Sequence, residues 1–157
     1  MIKRTQNFAV IFFAFILVTG CATTQSLHTP SGRPEVTINT TDRSKIKSVI
    51  LNEFMNAGFT LISESEYGLI FSAPMEGFGG IMYQALLGNA YSSQPEWNIR
   101  INMATLSDKT RVMAQAVVRM QNAFGREDVN DMTGGKVALQ LQQLLEKIKY
   151  IVEENNK

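Results

Sequence analysis

Residues 96–120, EWNIRINMATLSDKTRVMAQAVVRM, decide the fold of this chain. Apolar and polar residues alternate along both halves of the stretch, which is typical of half-buried antiparallel strands. The apolar series are Trp97, Ile99, Ile101 and Met103 in the first half and Val112, Ala114, Ala116, Val118 and Met120 in the second. Only a loop with an even number of residues brings both apolar series to one side of a hairpin. We therefore predict a two-residue turn at Asp108 and Lys109, with the pairs Met103–Ala114, Ile101–Ala116 and Ile99–Val118.

Three strands and a helix are predicted before this hairpin. Glu35 to Thr40 alternates like a short strand, and apolar spacing predicts an amphipathic helix from about residue 42 to 57, followed by Gly58. Residues 59–75 return to a period of two, so we predict a hairpin with the loop Glu66 to Gly68 and with Gly68 in the left-handed conformation. This register places Phe59, Leu61, Leu69, Phe71 and Ala73 on the apolar face, and Glu64 and Ser72 on the other.

A second amphipathic helix is predicted after the long hairpin. An irregular stretch from Gln121 to Met132 leads to a helix from about Thr133 to Val152. Its apolar stripe consists of Val137, Leu141, Leu144, Leu145, Ile148 and Ile151. The order β, α, β, β, β, β, α predicts one α+β domain over residues 35–157, a two-layer sandwich of an antiparallel sheet of four to five strands with both amphipathic helices on one face. The open face then carries Arg100, Arg111 and Arg119, and the small Ala114 and Ala116 let a helix approach the other face.

The composition is that of a globular protein, since 45% of the 157 residues are hydrophobic and 18% are charged. Lys3 and Arg4 lie in the first 20 residues, so the rest of the chain holds 13 of the 15 basic residues against 14 acidic ones. A nucleic-acid binder normally has a strong basic excess or a basic stripe. We therefore expect no nucleic acid among the partners.

Residues 1–20 have the pattern of a bacterial signal peptide. Lys3 and Arg4 supply its positive region, and residues 8–18, FAVIFFAFILV, supply an apolar region that is short of the roughly 20 residues of a membrane span. Leu17 to Cys21 resembles the lipobox of bacterial lipoproteins, in which aliphatic and then small residues precede the cysteine. This resemblance implies cleavage between Gly20 and Cys21 and lipidation of Cys21, the only cysteine of the chain. The alternative is an ordinary free or buried cysteine behind an uncleaved anchor.

The lipobox resemblance implies a protein held on a membrane by its N-terminal lipid. In a Gram-negative host, Ala22 in place of an aspartate after the cysteine implies the outer membrane, facing the periplasm. Residues 22–34, ATTQSLHTPSGRP, are small, polar and interrupted by prolines, so we predict a flexible tether between lipid and domain. The only histidine, His28, lies in this tether and is interpreted as a solvated residue rather than a ligand.

We find no catalytic constellation in the sequence of the domain. Thiol, Ser-His and most zinc chemistry need a cysteine or a histidine, and neither occurs after residue 34. Glu127, Asp128 and Asp131 do not have the spacing of a calcium loop and are interpreted as acidic residues that favour the start of the last helix. Gly134 to Lys136 lacks the other residues of a phosphate loop. We therefore expect a protein that is not an enzyme and needs no metal or other cofactor.

Residues 75–93, MEGFGGIMYQALLGNAYSS, form a long connection between two predicted strands, and long connections often carry function. The candidate partner contacts within it are Phe78, Ile81, Met82, Tyr83, Leu86, Leu87 and Tyr91. Two interpretations stay open: a short helix tucked over the end of the sheet, or a lid that contacts a partner or lipid. The three arginines of the open face are interpreted as solvated, with an anionic lipid or glycan site as the alternative.

The predicted layout resembles the helix-grip domains of BamC, the lipoprotein subunit of the outer-membrane β-barrel assembly machine. This resemblance is one of architecture over about residues 40–152, and no functional residue follows from it. Residues 107–148 also resemble small uncharacterised lipoproteins of bacteria and their prophages, which imply no activity. The leading hypothesis is a non-enzymatic interaction or assembly-accessory module with an envelope protein as partner. The alternative is a carrier of a small apolar or lipid ligand, which a closed apolar cavity would favour.

Overall fold

The computed structural model describes residues 27–75, 94–121 and 124–154. Within these ranges the chain forms six strands and two helices. They are β1 (Glu35–Ile38), α1 (Arg43–Asn56), β2 (Thr60–Ser65), β3 (Gly68–Pro74), β4 (Glu96–Leu106), β5 (Lys109–Gln121), β6 (Glu127–Asp131) and α2 (Gly135–Glu154). All strand pairs are antiparallel. The predicted α+β class and the order of the predicted elements are confirmed, but the predicted four to five strands are too few because β6 was not expected.

The sheet has β2, β3, β4 and β5 side by side, and the outer edge of β5 is shared by two short strands. β1 pairs with the first part of β5, up to Met113, and β6 pairs with the last part, from Val117 onwards. Between them, the Ala114 N–H donates to the Pro34 carbonyl (2.9 Å) and the Ala116 N–H donates to the Thr133 hydroxyl (2.9 Å). These two bonds satisfy the backbone of β5 where neither strand reaches it.

The β4–β5 hairpin has the predicted parity but a turn one residue earlier. Its two loop residues are Ser107 and Asp108, because Leu106 pairs with Lys109. Ile101 therefore faces Ala114, and Met103 faces Val112, so the predicted pairs are wrong by two positions while the predicted faces are right. Ser107 has a φ of 46°, the positive value that a tight two-residue hairpin loop requires at its first position.

The β2–β3 hairpin differs from its prediction at the loop. Ser65 pairs with Gly68, so the loop is Glu66 and Tyr67 rather than a three-residue loop that ends in a left-handed Gly68. Gly68 instead begins β3, and a Cβ atom there would lie 2.6 Å from the carbonyl oxygen of Ile101. This position needs glycine because β4 approaches its backbone closely.

A bulge in β2 compensates for the shorter loop. The register shifts between Leu61 and Ser63, so Leu61 still faces Phe71 on the helix side, as predicted. Glu64, however, pairs with Leu69, and its carboxylate accepts from the Lys47 ammonium group of α1 at 2.9 Å. The prediction that Glu64 faces away from the helices is therefore wrong, whereas Ser72 does lie on the open side.

The acidic residues before the last helix belong to β6 rather than to an irregular stretch. Glu127, Asp128 and Asp131 lie on this edge strand, so their interpretation as residues leading a helix is wrong. Asp131 nevertheless ends the strand by accepting from the Thr133 N–H (2.8 Å), and the hydrogen bonds from Thr133 and Gln115 hold the pKa of its carboxyl below the usual value. Acidic residues on an exposed strand edge oppose pairing with another chain.

The core lies between the helices and one face of the sheet. Its fully buried large side chains are Phe54, Phe71, Ile38, Ile46, Ile50, Leu69, Ile101, Leu145, Ile148, Val112, Val118 and Val152. The rings of Phe54 and Phe71 stack at a centroid distance of 4.6 Å and join α1 to the sheet. The two helices are linked at the surface by Lys147, whose ammonium group donates to the buried Glu53 at 2.6 Å. Neither helix of the described residues has the length and apolarity needed to span a bilayer.

Candidate functional site

The residues predicted for lipidation and partner contact lie outside the described residues. These are Gly20, Cys21, Phe78, Ile81, Met82, Tyr83, Leu86, Leu87 and Tyr91. The points where the chain leaves β3 and returns to β4 are described, and they are adjacent. The Met75 N–H donates to the Pro95 carbonyl at 3.0 Å, beside the Pro74–Glu96 pair. The predicted contact segment therefore starts and ends at one end of the sheet.

The three arginines lie on the open face, as predicted, but they differ in their partners. Arg111 binds Glu35 through Nε (3.1 Å) and through a second bond from Nη2. Arg119 approaches Glu127 on β6, with 3.9 Å between Nη1 and the carboxylate oxygen. Among the described residues the Nε atoms of Arg100 and Arg119 are buried and have no hydrogen-bond partner. Burial of an N–H without an acceptor is unfavourable, so each of these two side chains has one unsatisfied donor.

The Glu35–Arg111 pair ties the end of the predicted tether to the sheet. The Ser31 hydroxyl (2.6 Å) and the Ser31 N–H (3.3 Å) also donate to the Glu35 carboxylate, whose side chain is only 4% exposed. Burial raises the pKa of Glu35. The hydrogen bonds from Ser31 and Arg111 and the charge of Arg111 together lower the pKa by more than burial raises it, so the pKa lies below its usual value. A turn closed by the Gly32 N–H and the Thr29 carbonyl (3.0 Å) precedes this pair. Residues 29–34 are therefore hydrogen-bonded to one another and to the domain.

A polar recess on the open face forms a groove at the end of the sheet next to Met75 and Gln94. It has a volume of about 400 Å³ and crosses strands β2 to β6. Its lining, which we call the polar groove, consists of Ile62, Ser72, Gln94, Glu96, Asn98, Arg119, Met120, Gln121 and Glu127. Amides, a hydroxyl, two carboxylates and a guanidinium thus converge there, and they can both donate and accept hydrogen bonds.

A second recess lies on the helix side between α1, α2 and β4. It has a volume of about 260 Å³, and we call it the apolar cleft. Its lining consists of Phe54, Phe59, Trp97, Ile99, Val137, Gln140, Leu141 and Leu144. Gln140 is the only polar side chain in this set. The apolar cleft can therefore hold hydrocarbon but offers little for orienting a polar ligand.

Sequence reasoning did not find either recess. The polar groove combines residues of five strands, and the apolar cleft combines both helices with β4, so neither has a contiguous motif. The sequence does indicate part of the polar groove, because polar residues such as Asn98 and Arg119 alternate with the core residues of β4 and β5. His28 is exposed, and no group of three His, Cys, Asp or Glu residues that could hold a metal ion occurs in the part of the chain that the structure describes.

No protein-family model and no curated protein matches this chain. The sequence features and the two recesses are therefore the basis on which a function is proposed.

Proposed function

We propose that this chain is the precursor of a bacterial lipoprotein that is anchored in the cell envelope by Cys21. The observation that carries the proposal is the lipobox-like sequence from Leu17 to Cys21, placed directly after an apolar stretch. After cleavage at Gly20, acyl chains on Cys21 hold the domain on the membrane, at about 0.8 kcal/mol per buried CH₂ group. In a Gram-negative host the domain faces the periplasm from the outer membrane.

The anchored domain acts as a non-enzymatic interaction or assembly-accessory module for an envelope protein. Three features support this role. The polar groove presents unpaired hydrogen-bonding capacity on the open face, at the end of the sheet where residues 76–93 are inserted. Ile62 in its wall is 61% exposed, and Phe124 in the connection between β5 and β6 is 94% exposed. Exposed apolar side chains around a polar recess are typical of a surface that binds another protein.

Replacing Cys21 with Ala tests the anchoring. The thiol is the acceptor of the lipid, so the variant should keep residues 1–20, migrate as the larger precursor and incorporate no labelled fatty acid. Labelling of wild type and variant with an alkyne-tagged palmitate, followed by gel electrophoresis, measures both properties. Ser26→Ala, in the same predicted tether, is the matched control and should be processed and labelled like the wild type. Lipid-labelled, shortened Cys21→Ala protein would refute the proposal.

The apolar cleft favours a second candidate function, a carrier or binding protein for a small apolar or lipid ligand. Phe54, Ile99 and Leu141 are almost fully buried, while Trp97 and Leu144 are half-buried at the opening. A volume of about 260 Å³ suits part of one fatty-acyl chain rather than a whole phospholipid. The ligand in this proposal is therefore a single acyl chain lying between the helices and β4.

The only tryptophan of the chain, Trp97, reports on this site. If an acyl chain enters the cleft, 9,10-dibromostearate should quench Trp97 fluorescence saturably, whereas stearate should not, because bromine quenches only at contact. The protein for the titration is the soluble chain 21–157 with Cys21→Ser. Leu144→Glu, which puts a charge at the opening, should abolish the quenching. Absence of quenching in the folded wild-type domain would exclude the carrier role.

A further inference from the structure

The floor of the polar groove contains a polar side chain that is nearly fully buried. Asn98 is 5% exposed although it lies on the face away from the helices, and it lines the groove. Its neighbour across the strands is Val117, which is 3% exposed. A buried amide that faces a recess can donate to one group of a ligand and accept from another.

Two arginines flank this floor along the strands. Arg119 pairs with Glu96 on one side of the Asn98–Val117 pair, and Arg100 pairs with Gln115 on the other. The buried Nε atoms of both arginines have no acceptor among the described residues. A carboxylate is the acceptor that best matches a guanidinium, since Nε and one Nη can bind its two oxygens together.

The two carboxylates of the groove determine what else the ligand must carry. Glu96 accepts from the Ser72 hydroxyl (3.2 Å), and Glu127 is 3.9 Å from Arg119 Nη1, too far for a normal hydrogen bond. A purely anionic ligand would be repelled by Glu96 and Glu127, and a purely cationic ligand would be repelled by Arg119. The charges therefore favour a ligand with a carboxylate and an amino group.

The size and the other side chains of the groove agree with a short peptide. A recess of about 400 Å³ has space for two or three small residues. Gln94 and Asn98 provide amides that match the N–H and C=O groups of a peptide backbone. Among the described residues, the lining has no aromatic ring on which a sugar could stack.

We propose that the polar groove binds the C-terminal residues of a short peptide, with the terminal carboxylate on Arg119 and amino or amide N–H groups on Glu96 and Glu127. This inference rests on the proposed interaction role and names the chemistry of the partner. The partner is a peptide or protein that ends in a free carboxylate within reach of the open face.

Calorimetric titration of the detergent-purified full chain with three probes tests the proposal: triglycine, triglycinamide and N-acetyltriglycine. Triglycine should bind, and amidation of its carboxylate should weaken binding about ten- to hundredfold, the range for loss of a charge-assisted hydrogen bond. Arg119→Gln should weaken triglycine binding by a similar factor, and Arg119→Lys should weaken it less. Arg33→Gln, an exposed arginine outside the groove, is the matched control and should bind like the wild type.

A second variant keeps the test decisive if the melting curve of Arg119→Gln shows that this variant is not folded. Glu96→Gln should weaken the binding of triglycine more than that of N-acetyltriglycine, which has amide N–H groups but no charged amino group. The proposal is overturned if folded wild-type protein does not bind triglycine, if triglycinamide binds equally well, or if the disaccharide N,N′-diacetylchitobiose binds in place of the peptide. These measurements do not depend on Cys21, so a failed lipidation test and a failed groove test remain distinguishable.

Discussion

Ile101→Asp is expected to unfold the domain, whereas Asn102→Asp is expected to leave it folded. Ile101 is 1% exposed on the helix side of β4, in the middle of the sheet, and the neighbouring Asn102 is exposed on the open side. An unpaired carboxylate in that core costs several kcal/mol, and the lost apolar burial adds about 2 kcal/mol. The sum is comparable to the entire 5 to 15 kcal/mol stability of a typical domain.

Urea denaturation followed by far-UV circular dichroism measures the difference. The Asn102→Asp variant should unfold with a free energy within about 0.5 kcal/mol of the wild type, as is usual for a surface substitution. The Ile101→Asp variant should show no cooperative transition at all. Similar transitions in both variants would mean that the two faces of β4 are assigned the wrong way round.

Arg111→Gln is expected to destabilise the domain by roughly 2 to 3 kcal/mol at pH 7, because it leaves the buried Glu35 carboxylate without its cation. The size of this loss should depend on pH. The folded-state pKa of Glu35 lies below the ordinary value of 4.5, so the stabilisation is fully present above pH 4.5 and is lost as the pH falls through the lower folded-state value. In strong acid, Glu35 is protonated in both states, and the two proteins should approach the same stability.

Thermal unfolding at pH 7 and at pH 2.5 checks this dependence, with Glu35→Gln in the Arg111→Gln background as the control. Removing the carboxylate as well should restore part of the stability at pH 7, because no buried charge is then left unpaired. An equal loss from Arg111→Gln at both pH values would show that the arginine stabilises β1 through packing rather than through charge.

The predictable part of the fold came from long amphipathic patterns. β4 and β5 alternate over 11 and 13 residues, and the apolar stripe of α2 repeats over about four turns. Patterns of this length are rarely overridden by tertiary contacts. The β6 strand has one apolar residue, Val129, and a two-residue period cannot be seen from a single position. At Gly68, the sequence indicates a turn. The structure requires glycine there because the backbone of Ile101, 33 residues further along the chain, lies too close to leave room for a side chain.

The candidate site was predictable only in its parts. The alternation in β4 and β5 correctly assigned Asn98, Arg100 and Arg119 to the open face. It could not tell which arginine would be neutralised, because Glu35 reaches β5 through a strand pair between distant parts of the chain, and Glu127 reaches it through β6, which the pattern did not predict. Long-range pairing also brings Ile62 and Glu127 to opposite walls of one groove. Local sequence patterns therefore identify binding groups but not their combination.

If Cys21 carries the proposed lipid, the hydrogen-bonded turn at residues 29–34 sets the radius within which the domain can search for a partner. Only residues 22–28 lie between Cys21 and Thr29, and fully extended they reach about 24 Å. Had the whole predicted tether been free, its extended reach would have been roughly 45 Å. A shorter reach raises the local concentration of the domain near the bilayer surface and confines it there. A partner would then have to approach close to that membrane. Lengthening the segment before Thr29 would lower the local concentration of the domain at the membrane, and with it the rate of encounter with the partner, without changing any contact in the domain.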